Sequence, residues 1–260
     1  MASLSNPFTA VGTATLGALR EVGAISLFLG RILTGLLSFP RMYKQYLPAA
    51  TFVGFDSLPI VLLTAFFTGG VLALQSYNGF DNATLATSQV PKVVALSMLR
   101  ELGPVLAALM LASRVGAAMA AQLGTMRVTE QIDALHTLAV NPMKYLVLPR
   151  VLACITMLPL LVTLANIVGI FGGRTVAVHV LNLPSHPYMT YTWDAIEQED
   201  LTIGLVKALV FGLLIGLMST YHGFNTKGGA QGVGHATTSA VVYAAVTILI
   251  ADYFITSWFV

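Results

Sequence analysis

Charge is what this chain has least of. Of its 260 residues only 9% are Asp, Glu, Lys or Arg, against 56% that are hydrophobic, and the mean hydropathy is +0.80. A soluble domain carries about a quarter charged residues. Too few are present here to cover a water-facing surface, so lipid is the implied solvent. The net charge is only +2 and the basic residues are scattered, which argues against nucleic-acid binding, because that needs a clustered basic face. Cysteine is almost absent as well. With Cys154 alone, an intrachain disulfide and a Cys-based zinc site are both excluded, and its apolar surroundings make it a small buried hydrophobe. The five histidines show no HxxxH or similar spacing, so no metal site is expected. A GxSxG elbow is lacking and no catalytic constellation stands out.

A nucleotide site is missing too. The nearest approach to a phosphate loop is GAQGVGHA, from Gly229 to Ala236. A P-loop needs Lys and then Ser or Thr after its last glycine, so that the ammonium reaches the phosphates and the hydroxyl holds the metal. His235 and Ala236 occupy those positions, and a hydrophobic span follows. No cofactor is expected in this chain, and the energy for any transport must come from a partner or a gradient. The first thirty residues make a poor signal peptide, since Arg20 and Glu21 break the apolar run and no basic stretch precedes it. They are not Arg-rich as an organelle transit peptide would be.

What the chain has is long apolar runs. A membrane span needs roughly 20 mainly apolar residues. Five segments qualify, about 55–76, 93–123, 146–178, 202–222 and 237–258. The stretch from Val11 to Leu37 is interrupted by Arg20, Glu21 and Arg31 and reads as an amphipathic helix lying along the membrane surface, with a sixth span as the alternative. The expected fold is therefore an all-α membrane protein. An interfacial region over 1–50 precedes five transmembrane helices over 51–260. Lys and Arg collect on cytoplasmic connections. With the N-terminus inside, Arg20, Arg31, Arg41, Lys44, Arg127, Lys144, Arg150 and Lys227 all fall on that side, while the outer segments hold Lys92. The 179–201 loop has Asp194, Glu197, Glu199 and Asp200 without a Lys or Arg. This asymmetry puts the 124–145 connection in the cytoplasm and the C-terminus outside.

Two features of the second span and its exit carry the functional reading. Arg100, Glu101 and Arg114 lie in an apolar helix, where charges are expensive and usually face a bundle interior or a transport path. On an ideal wheel Arg100, Arg114 and Gln122 share a wedge roughly 80° wide, with Glu101 beside it. Such a stripe either contacts a charged head group or locks the fold internally. Ala112, Gly116, Ala120 and Gly124 recur every four residues, a ridge that lets membrane helices approach closely, inside the bundle or between subunits. After the span, Ile132, Leu135 and Leu138 recur at helical spacing. They imply an amphipathic helix over about 128–138 with the acidic pair Glu130 and Asp133 on one face, a shape that fits a groove on a partner. Asp56 and Asp252 lie near span ends, where solvation is the simplest fate. These acidic residues and Glu101 would be the only ion-coupling candidates of the rival reading, a partner-independent secondary transporter or channel for a small polar solute.

Taken together, LRELGPVLAALMLASRVGAAMAAQLGTMRVTEQIDAL, Asn141-Pro142, Leu148-Pro149-Arg150, Gly172-Gly173 and GVGHATTSAVV resemble the MlaE/YrbE permease family, the membrane subunits of lipid-transporting ABC systems that contain Mce proteins. The resemblance implies a homodimeric permease of the bacterial inner membrane, N-terminus cytoplasmic and C-terminus periplasmic. Two partner ATPases, which bind the ATP and Mg, would dock on a coupling helix matching Thr129, Glu130, Gln131, Ile132, Asp133 and Leu135. A hexameric ring of Mce-type lipid-binding protein would sit over the outer face, and phospholipid would pass through a central pocket, supporting outer-membrane lipid asymmetry. Arg100, Glu101, Arg114, Gln122 and His235 are the polar candidates for the lipid path. The chain departs from the family at Gln122, where Glu is common, and at His235, where Arg often precedes ATT.

Overall fold

The computed structural model of the chain describes residues 7–36 and 43–259; Arg41 lies outside them. Every described element is helical. In chain order they are α1 (Pro7–Leu36), α2 (Tyr43–Val53), α3 (Leu58–Asn78), α4 (Ala83–Ser97), α5 (Gly103–Leu111), α6 (Ala117–Val128), α7 (Gln131–Thr137), α8 (Leu148–His179), α9 (Ser185–Ala195), α10 (Gln198–Phe224) and α11 (Gly229–Phe259). Five helical stretches are long and apolar enough to cross a membrane: Tyr43–Asn78, Thr84–Val128, Met143–His179, Gln198–Phe224 and Gly229–Phe259. The five spans expected from hydropathy are these.

Their ends differ from the sequence expectation in informative ways. The first span begins at Tyr43, so the helix runs through position 50. It bends at Gly54 and a single tight turn, Phe55–Ser57, before α3 resumes with a proline in its first turn. The second stretch is one 45-residue helix, roughly 65–70 Å long at 1.5 Å per residue and more than twice the bilayer's apolar thickness. Its first part, α4, is capped by Asn82, whose side chain accepts a 2.9 Å hydrogen bond from the Thr84 N–H. That cap satisfies an otherwise orphaned donor and explains why the helix starts well before 93. Two π-helical turns, Met98–Leu102 and Ala112–Gly116, interrupt the same stretch.

α8 lies at the centre, flanked by α3 and α10. Small residues set the close crossings. A Cβ on Gly69 would overlap the backbone of Gly169, and one on Gly212 would come within 2.6 Å of the Cys154 carbonyl. Around these crossings Met98, Leu111, Met119, Leu158, Phe211 and Ile215 form a continuous buried core. α1 docks only through its second half, where Phe28 and Ile32 are buried against Val147, Val151 and Leu217. Leu16, Leu19, Val22 and Leu27 on the same helix remain exposed. α7 connects spans two and three at one end of the bundle. At the other end α4 packs on α9.

Candidate functional site

The buried charges converge near the α9 end. Lys207, midway along α10, has no solvent exposure. Its ammonium lies 2.6 Å from Glu101 and 2.8 Å from Asp252, and donates to the Arg100 carbonyl at 2.9 Å. Thr256 Oγ1 donates to the other Glu101 oxygen at 3.1 Å. Two of the lysine's three donors are thereby spent on the Glu101 carboxylate and the Arg100 carbonyl, while Asp252 stands at ion-pair distance. One residue away, the Arg100 guanidinium pairs with Asp200, which is itself fully buried and accepts from the Glu197 N–H at 2.9 Å to close the capping box of α10. A cation removed from water must find such partners, because an unpaired one costs several kcal/mol. Five charged side chains from the second, fourth and fifth spans thus form one network.

Arg114 is elsewhere. It donates to Ser57 Oγ at 2.6 Å and to the Phe52 carbonyl at 3.3 Å, with Asp56 at 3.8 Å. Its guanidinium also lies over the Phe52 ring, 5.5 Å from the centroid. These contacts tie the second span to the bend of the first. Gln122 accepts a long 3.4 Å bond from Arg150. His235 is at the opposite end from Lys207, in a cleft of about 610 Å³ that also holds Glu21, His222, Lys227 and Tyr243, with His222 stacked on Tyr243. The single polar wedge expected for Arg100, Arg114 and Gln122 therefore does not form. The two π turns and Pro104 are the reason, since each π turn holds an extra residue and rotates everything beyond it relative to an ideal wheel.

Lys207 escaped the sequence reading, and so did the burial of Asp200 and Asp252. Asp200 was expected in the acidic outer loop and Asp252 at a solvated span end; Asp200 has no exposure and Asp252 20%. The available signal was Lys207 itself, the one lysine inside an otherwise apolar fourth span.

The amphipathic segment at the exit of the second span is shorter than expected. α7 covers Gln131–Thr137. Thr129 ends α6, bonding back to the Thr125 carbonyl at 2.8 Å, and Glu130 takes a left-handed conformation with φ 60°, which stops the preceding helix. Glu130 and Asp133 accordingly play different parts. Asp133 pairs with Arg127 at 2.6 Å, whereas Glu130 forms the exposed corner. Ile132 is fully buried with Leu123 and Leu146, and Leu135 packs alongside. The small-residue ridge faces inward: a Cβ on Gly116 or Gly124 would press on Ser219 or Thr226 at 2.8 and 2.9 Å, so this ridge serves the bundle.

An inward ridge, a two-turn helix pinned outside the bundle and charges paired across three spans can be set beside known proteins. The model of the permease MlaE family matches residues 46–258. The chain belongs to the MlaE permease family. It is similar to a probable ABC transporter permease protein of Rickettsia felis, 48% identical over 256 residues and 98% of both chains. A probable ABC transporter permease protein of Synechocystis is 39% identical over 229 residues, 88% of this chain and 86% of the relative. The Arabidopsis chloroplast protein TRIGALACTOSYLDIACYLGLYCEROL 1 is 35% identical over 236 residues, 91% of this chain and 67% of that one. Membership in a family of ABC transporter permeases favours a partnered transporter over the partner-independent one. In this MlaE-family chain the Lys207 network and α7 sit at opposite ends of the spans that connect them.

Proposed function

We propose that the chain is the membrane subunit of an ABC transporter that moves phospholipid, delivering it to or receiving it from an Mce-type ring at the outer face of a bacterial inner membrane. The observation that carries the lipid reading is the Lys207–Glu101–Asp252 network beside Arg100, a polar patch within an apolar bundle whose part-exposed members, Arg100 and Glu101, a head group can reach. The name of the Arabidopsis relative, which contains a diacylglycerol lipid, favours the same substrate class. Two copies of the chain would pack through the fifth span, whose apolar core is only 17% buried within one chain while the other spans reach 33–56%. The N-terminus would be cytoplasmic and the C-terminus periplasmic.

Energy would arrive through α7. Two partner ATPases holding ATP and Mg would grip Glu130, Gln131 and Asp133, while Ile132 and Leu135 pass the push to the ends of the second and third spans. The resulting shift would reopen or close a lipid pocket between the two copies and maintain outer-membrane lipid asymmetry.

The test is affinity purification of the tagged chain in mild detergent, with mass spectrometry of the proteins and lipids it carries. An ATPase, an Mce-type subunit and enriched phospholipid are expected. In the same assay Glu130→Lys is expected to lose coupled ATP hydrolysis while the permease stays folded. Normal docking and transport in that variant would remove α7 from the mechanism.

A further inference from the structure

A cleft of about 460 Å³ opens between the start of α2, the end of the second span and the start of the third, and its charges are all positive. It is lined by Lys44, Gln45, Phe52, Met119, Gln122 and Arg150, among others. A second cleft of about the same size, along Thr125 and Met126, shares Gln122 and Arg150 with the first, so Arg150 borders two openings. Arg150 donates only to neutral oxygens in the described contacts, the Leu146 carbonyl at 3.3 Å and Gln122 at 3.4 Å. A guanidinium has five donors, so most of its capacity is unspent. Arg100, Arg114, Arg127 and Lys207 each face a carboxylate, whereas among the described residues neither Arg150 nor Lys44 does. Gln45 adds a buried side-chain oxygen without a partner in the same cleft.

We propose that this cleft binds an anionic phospholipid of the leaflet next to α7, with its phosphate on Arg150 and Lys44 and its chains along Phe52 and Met119. Basic pockets between membrane helices suit anionic head groups, and a guanidinium takes phosphate through two parallel bonds. The lining offers no carboxylate, so the ammonium of a zwitterionic lipid would gain nothing there. The site is separate from the Lys207 network and does not depend on whether the chain transports lipid.

The test uses the full-length chain with its co-purifying subunits in mild detergent. Phosphatidylglycerol, phosphatidylethanolamine or inorganic phosphate is added, and bound molecules are counted by native mass spectrometry. Wild type is expected to retain phosphatidylglycerol over phosphatidylethanolamine. Gln122→Glu, which hands Arg150 an internal carboxylate, and Lys44→Glu are each expected to weaken that retention at least about tenfold, with Gln122→Asn as the neutral control. Should Lys44→Glu fail to fold, Lys44→Met reports on the same contact. Equal retention of the two lipids, or undiminished phosphatidylglycerol on Gln122→Glu, overturns the proposal. Displacement of the lipid by millimolar phosphate overturns it as well, because the site would then serve a free anion.

Discussion

Lys207 is the residue on which the α9 end of the bundle turns. Its ammonium donates to the Glu101 carboxylate and the Arg100 carbonyl and lies 2.8 Å from Asp252, groups contributed by the second and fifth spans, so its removal leaves two acidic groups without their counter-charge, one of them largely buried. Lys207→Met is expected to destabilise the chain by about 3–5 kcal/mol, the typical cost of breaking a buried pair from one side. Thermal unfolding in detergent would show it as a lowered midpoint. The triple variant Lys207→Met, Glu101→Gln, Asp252→Asn is expected to regain most of that loss, since no uncompensated charge remains. A triple variant no more stable than the single would mean that Lys207 acts through packing instead. The reason such a network is hard to read in sequence is also visible here. Glu101 and Asp252 are 151 positions apart, and nothing local distinguishes a solvated aspartate near a span end from one turned inward to a lysine on another helix.

At the scale of the helices, α7 and the seam between α6 and α10 make different demands. α7 is held to the bundle by Ile132 in its small cluster with Leu123 and Leu146 and by the Arg127–Asp133 pair. Ile132→Asp is expected to release it, raising amide hydrogen exchange across 131–137 by more than tenfold while the spans keep their protection. An unchanged exchange rate would show that the pair alone is sufficient. The seam between α6 and α10 makes the opposite demand, that nothing be added. Gly116→Leu drives a side chain into Ser219 and is expected to cost about 1–3 kcal/mol or more by overpacking. Gly30→Ala on α1, where a Cβ meets nothing within 4 Å, is expected to be neutral or slightly stabilising. At this scale the sequence was largely legible, because span length and the four-residue ridge depend on composition and period alone. The helical wheel failed where the period itself changed, at the two π turns, and the left-handed Glu130 shortened α7 in a way that hydrophobic spacing does not encode.

Across the whole molecule the apolar surface is uneven. The first four spans bury more of their cores than the fifth, whose Val242, Val246, Leu249 and Tyr253 are exposed along one face. If a second copy covers that face, Leu249→Cys is expected to form a disulfide-linked dimer under mild oxidation in membranes, whereas Leu63→Cys, exposed on α3, is not. The natural thiol does not interfere, because Cys154 is buried. Equal cross-linking at both positions would point to random collision in the bilayer. The separation of the Lys207 network from α7 also belongs to this scale, as the two are joined by whole spans.

The long second stretch has a mechanical consequence. It runs as one helical stretch from its contact with α9 at one end to the turn that carries α7 at the other, so under the proposed coupling it would serve as a drive shaft through the membrane. Its two π turns are slip joints in that shaft. A π turn holds a wider ring of hydrogen bonds than the α-helix around it. Under the proposed coupling, a shift at such a turn would rotate one part of the shaft against the rest. Were a partner to push at the α7 end, as proposed, Arg114 would turn without Arg100, and its hold on the bend of the first span would be released while the Lys207 network stays paired.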